Sequence, residues 1–283
     1  NLPANVRRVL ELRLLGSTTS VAKYEKMLEV QVEGRIRNTL VYHGASTGRW
    51  ASRGGLNLQN IARPTLGDEA IEAAIERVLV RGEGGSMEEL SSLVRSAIKA
   101  SDGQVFVDVD FSSIENRMAS WIACQNDKLE MFRNGLDEYK TFASSALYRV
   151  PYEEVTKEMR YKAKSVNFGI IYGQGAFGLA DNLGISRTEA KEIIDNYKKQ
   201  FPGIQQYMDD TINFARENGY VQTLMGRKRW LRDIHSSNFT VRGFAERNAI
   251  NSPIQGTAAD MIKLAMQKVA GAIQKAGLKS RMI

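Results

Sequence analysis

Cysteine and histidine are scarce in this sequence, which has one Cys and two His among 283 residues. The single Cys124 excludes a disulfide within the chain. Together with His43 and His235, it also leaves too few ligands for a structural zinc cluster. We therefore expect the protein to work in a reducing, intracellular setting.

Long hydrophobic runs are absent as well. No apolar run approaches the length of a membrane-spanning helix, about 18 residues. Residues 1–7 also lack the charged-then-apolar order of a signal peptide. We expect a cytoplasmic protein without a membrane partner. Because the sequence does not begin with Met, we also expect it to be part of a longer chain.

The composition is that of an ordinary globular protein with an excess of positive charge. Hydrophobic residues make up 43% of the chain, which is enough for a substantial core. The 39 Lys and Arg outnumber the 32 Asp and Glu and give a net charge of +7. This balance favours a polyanionic partner, although many basic proteins bind no nucleic acid.

Hydrophobic periodicity divides the chain into helices and a few short strands. Two helices are predicted within residues 3–33, separated by Ser17–Ser20, and helical periodicity returns at 68–80, 87–99 and 113–218 and, as a helix pair, at 238–276. Strands are predicted at 39–42, 57–60 and 104–111, and 220–225 with 229–232 forms a hairpin whose tip is basic. Strands that flank a large helical insertion predict an α+β fold.

One predicted helix carries two cations and two rings spaced four residues apart: Arg160, Lys164, Phe168 and Tyr172. Each step of four residues turns the helix by about 40°, so the side chains fill one stripe about 18 Å long. Cations at one end suit phosphate oxygens, and the rings suit a sugar and a base. The spacing alone equally fits an amphipathic helix with solvated charges. A separate apolar face is formed by Met159, Ala163, Val166 and Ile170.

A carboxylate follows the predicted strand at 104–111. Asp110 lies at the end of this strand, and Glu115 follows about one helical turn later. Carboxylates at such a position can hold Mg²⁺ for phosphoryl transfer. On its own, an Asp at this place is better explained as the cap of the next helix.

Two of these strings resemble motifs of the family A DNA polymerases. Residues 160–173 match R-x3-K-x3-F-x3-Y-G, the motif of the fingers helix in that family. Residues 110–117 are similar to D-Y/F-S-x-I-E-x-R, a motif of the palm. The resemblance implies a palm with an antiparallel sheet, a large helical fingers insertion and a thumb that is largely absent. It divides the chain into 1–118 (end of the thumb and first part of the palm), 119–230 (fingers) and 231–283 (second part of the palm).

The implied activity is template-dependent addition of dNTPs to a primer 3'-OH by two-metal phosphoryl transfer. The resemblance implies that Asp110 and the Phe111 carbonyl bind two Mg²⁺, and that Glu115 blocks a ribose 2'-OH. Tyr139 aligns with a family position that touches the triphosphate and is often Tyr in phage-type enzymes. The implied catalytic residues are Asp110, Lys164 and Arg160, and the implied substrate contacts are Ser113, Glu115, Tyr139, Arg160, Lys164, Phe168 and Tyr172.

Two further segments resemble the parts of that family that contact the primer-template duplex. Residues 46–60 are similar to T-G-R-x-S…N-L-Q-N, and residues 246–260 to E-R-x-A-I-N-x-P-x-Q-G-T-A-A-D. Arg and amide side chains suit the minor groove because every correct base pair offers acceptors there at similar places. A polar helix face kinked at Pro253 is the alternative explanation for the second segment. The implied DNA contacts are Arg49, Asn57, Gln59, Arg247, Asn251 and Gln255.

The sequence departs from the family pattern at its end. The last palm motif, roughly Q-V-H-D-E, is expected directly after Ile283, where the sequence stops. Without the second metal-binding Asp of that motif, we expect this chain alone to extend a primer poorly or not at all. Three explanations stay open: a fragment, one part of a split polymerase whose second chain supplies the missing palm strand, or a non-catalytic DNA-binding module.

A single-subunit RNA polymerase shares the same palm plan, but Glu115 and Phe168 argue against it. The sequence does not distinguish a role in replication from one in repair.

Overall fold

The computed structural model of the chain describes residues 3–16 and 22–283. The chain divides into two compact units, Asn1–Ala45 with Trp50–Asp110, and Ser46–Arg49 with Phe111–Ile283. No helix among the described residues is long and apolar enough to cross a membrane. The division into thumb, palm and fingers segments remains a prediction.

The first unit combines short helices with one small hairpin. Its helices are α1 (Ala4–Gly16), α2 (Ala22–Val30), α3 (Asp68–Ile75) and α4 (Met87–Leu93), with 3-10 turns at Leu58–Asn60 and Arg95–Ala97 and a π-helical turn at Glu76–Val80. Strands β1 (Leu40–Val41) and β2 (Ala51–Ser52) pair antiparallel, with Leu40 opposite Ser52. Its core contains Met27, Leu56, Ile61 and Val94.

Both predicted N-terminal helices are confirmed, as is the helical periodicity at 68–80 and 87–99. Ser17–Ser20, the predicted break between the first two helices, lies outside the described residues. The capping of α4 follows from its sequence, because Ser86 and Glu89 form a reciprocal capping box at its start.

Two strand predictions in the first unit are wrong. Residues 57–60 contain a 3-10 turn because the Asn57 side chain caps it, accepting a hydrogen bond from the Gln59 amide at 3.0 Å. Residues 104–111 are not in a sheet, and Val105, Val107 and Val109 are 83%, 82% and 87% exposed. A strand needs a ladder partner, and no strand among the described residues pairs with this segment.

The second unit is mainly helical. Its helices are α5 (Ile114–Ile122), α6 (Asn126–Arg133), α7 (Glu138–Phe142), α8 (Lys157–Ile171), α9 (Ala176–Leu183), α10 (Arg187–Gln200), α11 (Pro202–Asn218) and α12 (Phe239–Lys275). Strands β3 (Tyr220–Gln222) and β4 (Lys228–Trp230) form the predicted hairpin, with Tyr220 opposite Trp230. A mostly helical chain with small antiparallel sheets confirms the α+β prediction.

The predicted helix pair at 238–276 is a single helix of 37 residues. Pro253 lies inside it, although a proline removes one helical hydrogen bond and usually kinks or ends a helix. Pro253, Ile250 and Ile254 are all buried, so tertiary packing on both sides of the proline retains the helix.

Helix α8 begins at a side-chain cap and buries the face predicted to anchor it. The Thr156 hydroxyl accepts a hydrogen bond from the Met159 amide at 3.2 Å. Ala163 and Val166 are 0% exposed and Ile170 is 3% exposed, within the larger core of the second unit. The opposite face therefore stays available without loss of packing.

We expect Ile170→Ala to lower the free energy of unfolding by about 2–5 kcal/mol, the usual result of removing a buried Ile side chain. Urea unfolding followed by circular dichroism measures the change. Lys162→Ala, on the exposed side of the same helix, is the control and should change stability by no more than about 0.5 kcal/mol. If both variants unfold alike, α8 is not held by this face.

Candidate functional site

The cationic and aromatic side chains of α8 lie along one surface. The Lys164 ammonium lies 5.9 Å from the centroids of both the Tyr139 and the Phe168 rings. The Phe168 and Tyr172 rings follow, with centroids 5.8 Å apart. At the other end, the Arg160 guanidinium lies 5.3 Å from the Tyr139 ring. The structure thus joins the side chains predicted from the four-residue spacing into a continuous stripe, which we call the α8 stripe (Arg160, Lys164, Phe168 and Tyr172).

Arg160 is already oriented by a carboxylate. Its Nε donates a hydrogen bond to Asp137 Oδ2 at 2.6 Å. The same Asp137 caps α7, because its side chain accepts hydrogen bonds from the amides of Tyr139 and Lys140. The cap therefore ties the start of α7 to the N-terminal end of the α8 stripe.

Tyr139 lies beneath the α8 stripe. It is only 5% exposed, and its ring centroid is 6.1 Å from that of Phe168. Burial raises the pKa of Tyr139, the Glu138 carboxylate raises it further, and a hydrogen bond with Ser113 acts in the opposite direction. The hydroxyl therefore stays protonated, and Tyr139 offers little surface to a ligand in this conformation.

Sequence reasoning missed a buried polar network behind Tyr139. Its members come from α5, α6, α7, α8 and α10 and are all at most 6% exposed: Asn116, Lys128, Glu138, Asn167 and Tyr197. Burial lowers the pKa of Lys128 and raises the pKa of Glu138, while the attraction between the two opposes both shifts. A Lys and a Glu on predicted helices are ordinary surface residues, so the sequence carries no signal for their burial.

Glu115 is paired with a residue predicted to contact DNA. Arg49 Nη2 lies 2.5 Å from Glu115 Oε1, and the side chains are 45% and 13% exposed, respectively. Burial raises the pKa of Glu115, whereas the Arg49 charge lowers it. The carboxylate at the start of α5 is thereby held in one position by a cation from the segment Ser46–Arg49.

That segment is itself held by the basic hairpin. Arg227 Nη2 donates to the Thr47 carbonyl at 2.7 Å, and its Nε donates to Asp260 Oδ1 at 3.0 Å. Gly48 has φ +88°, and a Cβ there would lie 2.6 Å from the Arg227 guanidinium, so only glycine fits. The cation at the hairpin tip therefore points into the protein and positions the segment that carries Arg49.

The other basic residues of the hairpin are also engaged by the chain itself. Lys228 lies 4.1 Å from the Tyr220 ring centroid, and Arg229 donates to the Ser252 hydroxyl at 2.8 Å. Desolvation lowers the pKa of Arg229. The bond from Arg229 to Ser252 attaches the hairpin to α12.

The predicted DNA contacts on α12 form a polar edge, which is the solvent-accessible side of an otherwise buried part of the helix. Arg247 is exposed and Asn251 and Gln255 are half-buried, whereas the other residues of 249–259 are buried. Among the described residues, the buried Asn251 Oδ1 has no hydrogen-bond partner. Arg247 packs its Cγ 3.3 Å from the position that a Cβ on Gly173 would occupy, directly after Tyr172. The polar edge of α12 thus lies next to the end of the α8 stripe.

The remaining predicted site residues belong to the first unit, apart from Phe111. Asn57 caps the 3-10 turn, and Gln59 Nε2 donates to the Trp50 carbonyl at 3.3 Å. Asp110 is the last residue of the first unit and is exposed. Phe111 follows it in the second unit and is 46% exposed.

Asp110 and the Phe111 carbonyl are oxygen donors of the kind that Mg²⁺ prefers. The residues that the structure describes contain no group of three or more acidic, His or Cys side chains suited to a metal ion. The donors fit Mg²⁺ in type, but they do not fit a two-ion site in number.

Comparison with solved structures identifies the class of fold, that of a polymerase domain. The POL domain of Pol1 from M. smegmatis, in complex with DNA primer-template and dNTP, superposes with a TM-score of 0.79 and 36% identity, over 93% of this chain and 42% of that one.

The family follows from the sequence comparisons. The model of DNA polymerase family A matches residues 2–283. DNA polymerase I of Caldicellulosiruptor bescii is 41% identical over 88% of this chain and 26% of its own length. DNA polymerase I of Streptococcus pneumoniae is 37% identical over 98% of this chain and 29% of its own length. The chain belongs to DNA polymerase family A, and it spans little more than a quarter of the length of these relatives.

We expect Arg49→Ala to raise the pKa of the Glu115 carboxyl, because desolvation would then act without the nearby cation. An NMR titration of the Glu115 side-chain carboxyl measures this. The folded-state pKa of Glu115 already lies above its ordinary value. Stability linked to this group is therefore present at low pH and lost as the pH rises through the folded pKa. The variant should lose more stability over that range.

Arg117→Ala is the matched control for this titration. The Arg117 guanidinium stacks 4.5 Å from the Phe132 ring, and its Nε donates to the Ser112 carbonyl at 2.9 Å. Its removal should leave the Glu115 titration close to that of the unmodified chain. An unchanged or lower Glu115 pKa in Arg49→Ala would show that the ion pair does not set the state of this carboxyl.

Proposed function

We propose that this chain forms the nucleotide-binding and much of the DNA-binding part of a DNA-directed DNA polymerase. In this reaction the 3'-OH of a primer attacks the α-phosphate of a dNTP, and pyrophosphate leaves. The observation that carries the proposal is the α8 stripe, which aligns two cations and two rings over a buried Tyr139. The resemblance to a polymerase domain bound to primer-template and dNTP supports it.

The α8 stripe suits a nucleoside triphosphate in both chemistry and length. Arg160 has five N–H donors, and the bond to Asp137 uses one of them. Arg160 and Lys164 hold phosphate oxygens, with Arg160 able to bind two oxygens at once. The Phe168 and Tyr172 rings pack against the sugar and the base. Tyr139 completes this site by supporting the stripe from α7, and Ser113, the residue before α5, forms a hydrogen bond with Tyr139.

Glu115 selects the sugar in this proposal. Its carboxylate is fixed by Arg49 and mostly buried, so it cannot move aside for an added hydroxyl group. We infer that deoxynucleotides are preferred for this reason.

The polar edge of α12 reads the geometry of the primer-template duplex. Arg247, Asn251 and Gln255 offer donors and acceptors to the minor groove, where correct base pairs look alike. Arg49, Asn57 and Gln59 contribute from the other sequence segment that resembles the family. Phosphate and groove contacts of this kind bind duplexes without a sequence preference.

We also propose Mg²⁺ as the cofactor, with Asp110 and the Phe111 carbonyl among its ligands. Mg²⁺ supplies charge neutralisation for phosphoryl transfer when it is bound. A complete site for two ions requires at least one further carboxylate, and the described residues contain no group of three or more acidic, His or Cys side chains suited to a metal ion. The part played by the residues of this chain is therefore to bind and orient the dNTP and the duplex.

A second candidate function is DNA binding without synthesis by this chain alone. It is favoured by the absence of a metal-binding acidic cluster among residues 3–16 and 22–283. The exposed segment 105–109 favours a related proposal, in which a second chain adds a palm strand beside it.

Primer extension distinguishes these functions. We expect little or no extension of a labelled primer by this chain with dNTPs and Mg²⁺. Addition of a peptide or subunit that carries the missing carboxylate-bearing strand should restore synthesis, and dNTPs should be used in preference to rNTPs. Duplex binding that persists while every such addition fails to restore synthesis would favour the non-catalytic function.

We expect Lys164→Ala to weaken binding of dTTP to the chain on a primer-template duplex by about tenfold or more. The reason is that a charge-assisted hydrogen bond contributes about 1.5–3 kcal/mol, and about 1.4 kcal/mol corresponds to tenfold. Equilibrium dialysis with labelled dTTP measures the dissociation constant. In a complete enzyme the same change should raise KM for dNTPs and lower the rate.

The exposed neighbour Lys162 provides the control for net charge. Lys162→Ala removes the same charge from the same helix, about 200° around its axis from Lys164, and should leave dTTP binding nearly unchanged. Equal losses of dTTP affinity in both variants would show that the effect comes from the net charge of the chain and not from a contact with Lys164. No loss in Lys164→Ala would remove Lys164 from the site.

A further inference from the structure

We propose that Lys128, Glu138 and Asn116 are positioning residues for the nucleotide site, which they hold in place through the Tyr139 hydroxyl. This inference rests on the proposed function and deepens it, because it names the residues that fix the support of the α8 stripe. Lys128 and Glu138 lie outside the family motifs quoted above, and Asn116 occupies an unspecified position of the palm motif. None of the three can touch a ligand in this conformation, since they are 2%, 6% and 0% exposed.

The side-chain amide of Asn116 connects Glu138 to the Tyr139 hydroxyl. Asn116 Nδ2 donates to Glu138 Oε1 at 2.7 Å and to the Tyr139 hydroxyl at 2.6 Å. An amide nitrogen has only two hydrogens, so both are used by these two bonds. The direction of the bond to Tyr139 is therefore set by the position of the Glu138 carboxylate.

The Glu138 carboxylate is in turn fixed by a buried ammonium group. Lys128 Nζ lies 3.6 Å from Glu138 Oε2 and donates to Asn167 Oδ1 at 3.3 Å and to the Tyr197 hydroxyl at 3.2 Å. These partners match the three donors of a lysine. Within the described residues, Glu138 Oε2 has no hydrogen-bond partner, so the ion pair is what compensates its burial.

The network also reaches α8 directly. Asn167 Nδ2 donates to Asn116 Oδ1 at 3.3 Å, and Asn167 Oδ1 accepts from the Tyr197 hydroxyl at 2.8 Å. Asn167 immediately precedes Phe168, and Asn116 immediately follows Glu115. The same bonds thus join the helical turns that carry the proposed base-stacking and sugar-selecting side chains.

Stability alone does not account for this arrangement. A buried ion pair can often be replaced by apolar residues of similar size without loss of stability. What an apolar replacement cannot supply is a hydrogen bond in a fixed direction to the Tyr139 hydroxyl. The Tyr139 ring is the surface on which Arg160 and Lys164 lie. The directional bond, therefore, is the property on which the site depends.

The test replaces both charges together, in the double variant Lys128→Leu with Glu138→Leu. We expect it to fold, because neither charge is left unpaired, and to lose part of its stability, because Asn116 loses the acceptor Glu138. Its dissociation constant for dTTP on a primer-template duplex should rise by about tenfold or more, which corresponds to about 1.4 kcal/mol. The control is an exposed ion pair on α6, the helix that carries Lys128. The double variant Arg133→Ala with Glu130→Ala should leave the dissociation constant unchanged.

A double-mutant cycle with Tyr139→Phe tests the route. Tyr139→Phe removes the hydroxyl that the network holds and should itself weaken dTTP binding. In the Tyr139→Phe background, the Leu pair (Lys128→Leu with Glu138→Leu) should cause no further loss of dTTP affinity. An undiminished further loss would show that the network does not act through Tyr139, and the proposal would fail.

A nucleotide-free measurement separates this inference from the proposed function. The chain has ten tyrosines, and ring-labelled NMR identifies the Tyr139 signal as the one that Tyr139→Phe removes. We expect the Leu pair to shift or broaden this signal. An unmoved signal overturns the inference, and so does a moved signal with unchanged dTTP binding. If the unmodified chain binds no dTTP, the proposed function fails, and the Tyr139 signal still decides whether the network positions this ring.

If the Leu pair does not fold, Asn116→Leu provides a second test. It cuts the bond to Tyr139 while both charges of the ion pair remain. The same weakening of dTTP binding and the same change in the Tyr139 signal are expected, and wild-type values for both would overturn the inference.

Discussion

A lysine ammonium that is 2% exposed inside a helical core must be surrounded by acceptors, because an unpaired charge there is very unfavourable. This requirement constrains how the helices of the second unit meet. The partners of Lys128 are Glu138, Asn167 and Tyr197, which belong to α7, α8 and α10. A shift of any one of these helices would leave a polar group without a partner. The helices are therefore fixed relative to one another more strictly than apolar contacts alone would fix them.

The two faces of α8 connect this constraint to the proposed site. One face is buried through Ala163, Val166 and Ile170, and the other carries the α8 stripe. A binding surface on a rigid helix keeps its side chains in a more precise arrangement than a loop can. The edge of α12 follows the same plan, since Arg247, Asn251 and Gln255 emerge from a segment that is otherwise buried. Both surfaces consist of side chains that project from packed helices.

Local sequence signals account for much of the fold. The spacing in α8 and the hairpin after α11 both depend on residues close together in the chain, so the sequence predicts them. The residues of the α8 stripe could be named for the same reason. The resemblance to a known family then supplied their chemistry.

The features that sequence did not predict depend on distant partners. Lys128 is buried because Glu138 and Tyr197 meet it, and Arg227 points inward because Thr47 and Asp260 accept its hydrogens. The continuous α12 is retained across Pro253 by packing that no local propensity reveals. The segment 104–111 alternates like a strand, yet pairing is a property of two segments. In the first three cases a long-range contact outweighs a local preference, and in the last no strand among the described residues pairs with the segment.

The exposed segment 105–109 has a consequence for the behaviour of the chain in solution. It contains three valines and a phenylalanine, which are 51–87% exposed and rich in the residue types that favour cross-strand association. A surface of this kind is a template for self-assembly between molecules unless something interrupts it. Asp108 and Asp110 place negative charge at its C-terminal half. When two copies of this segment pair, these like charges are brought together, so the carboxylates oppose self-association.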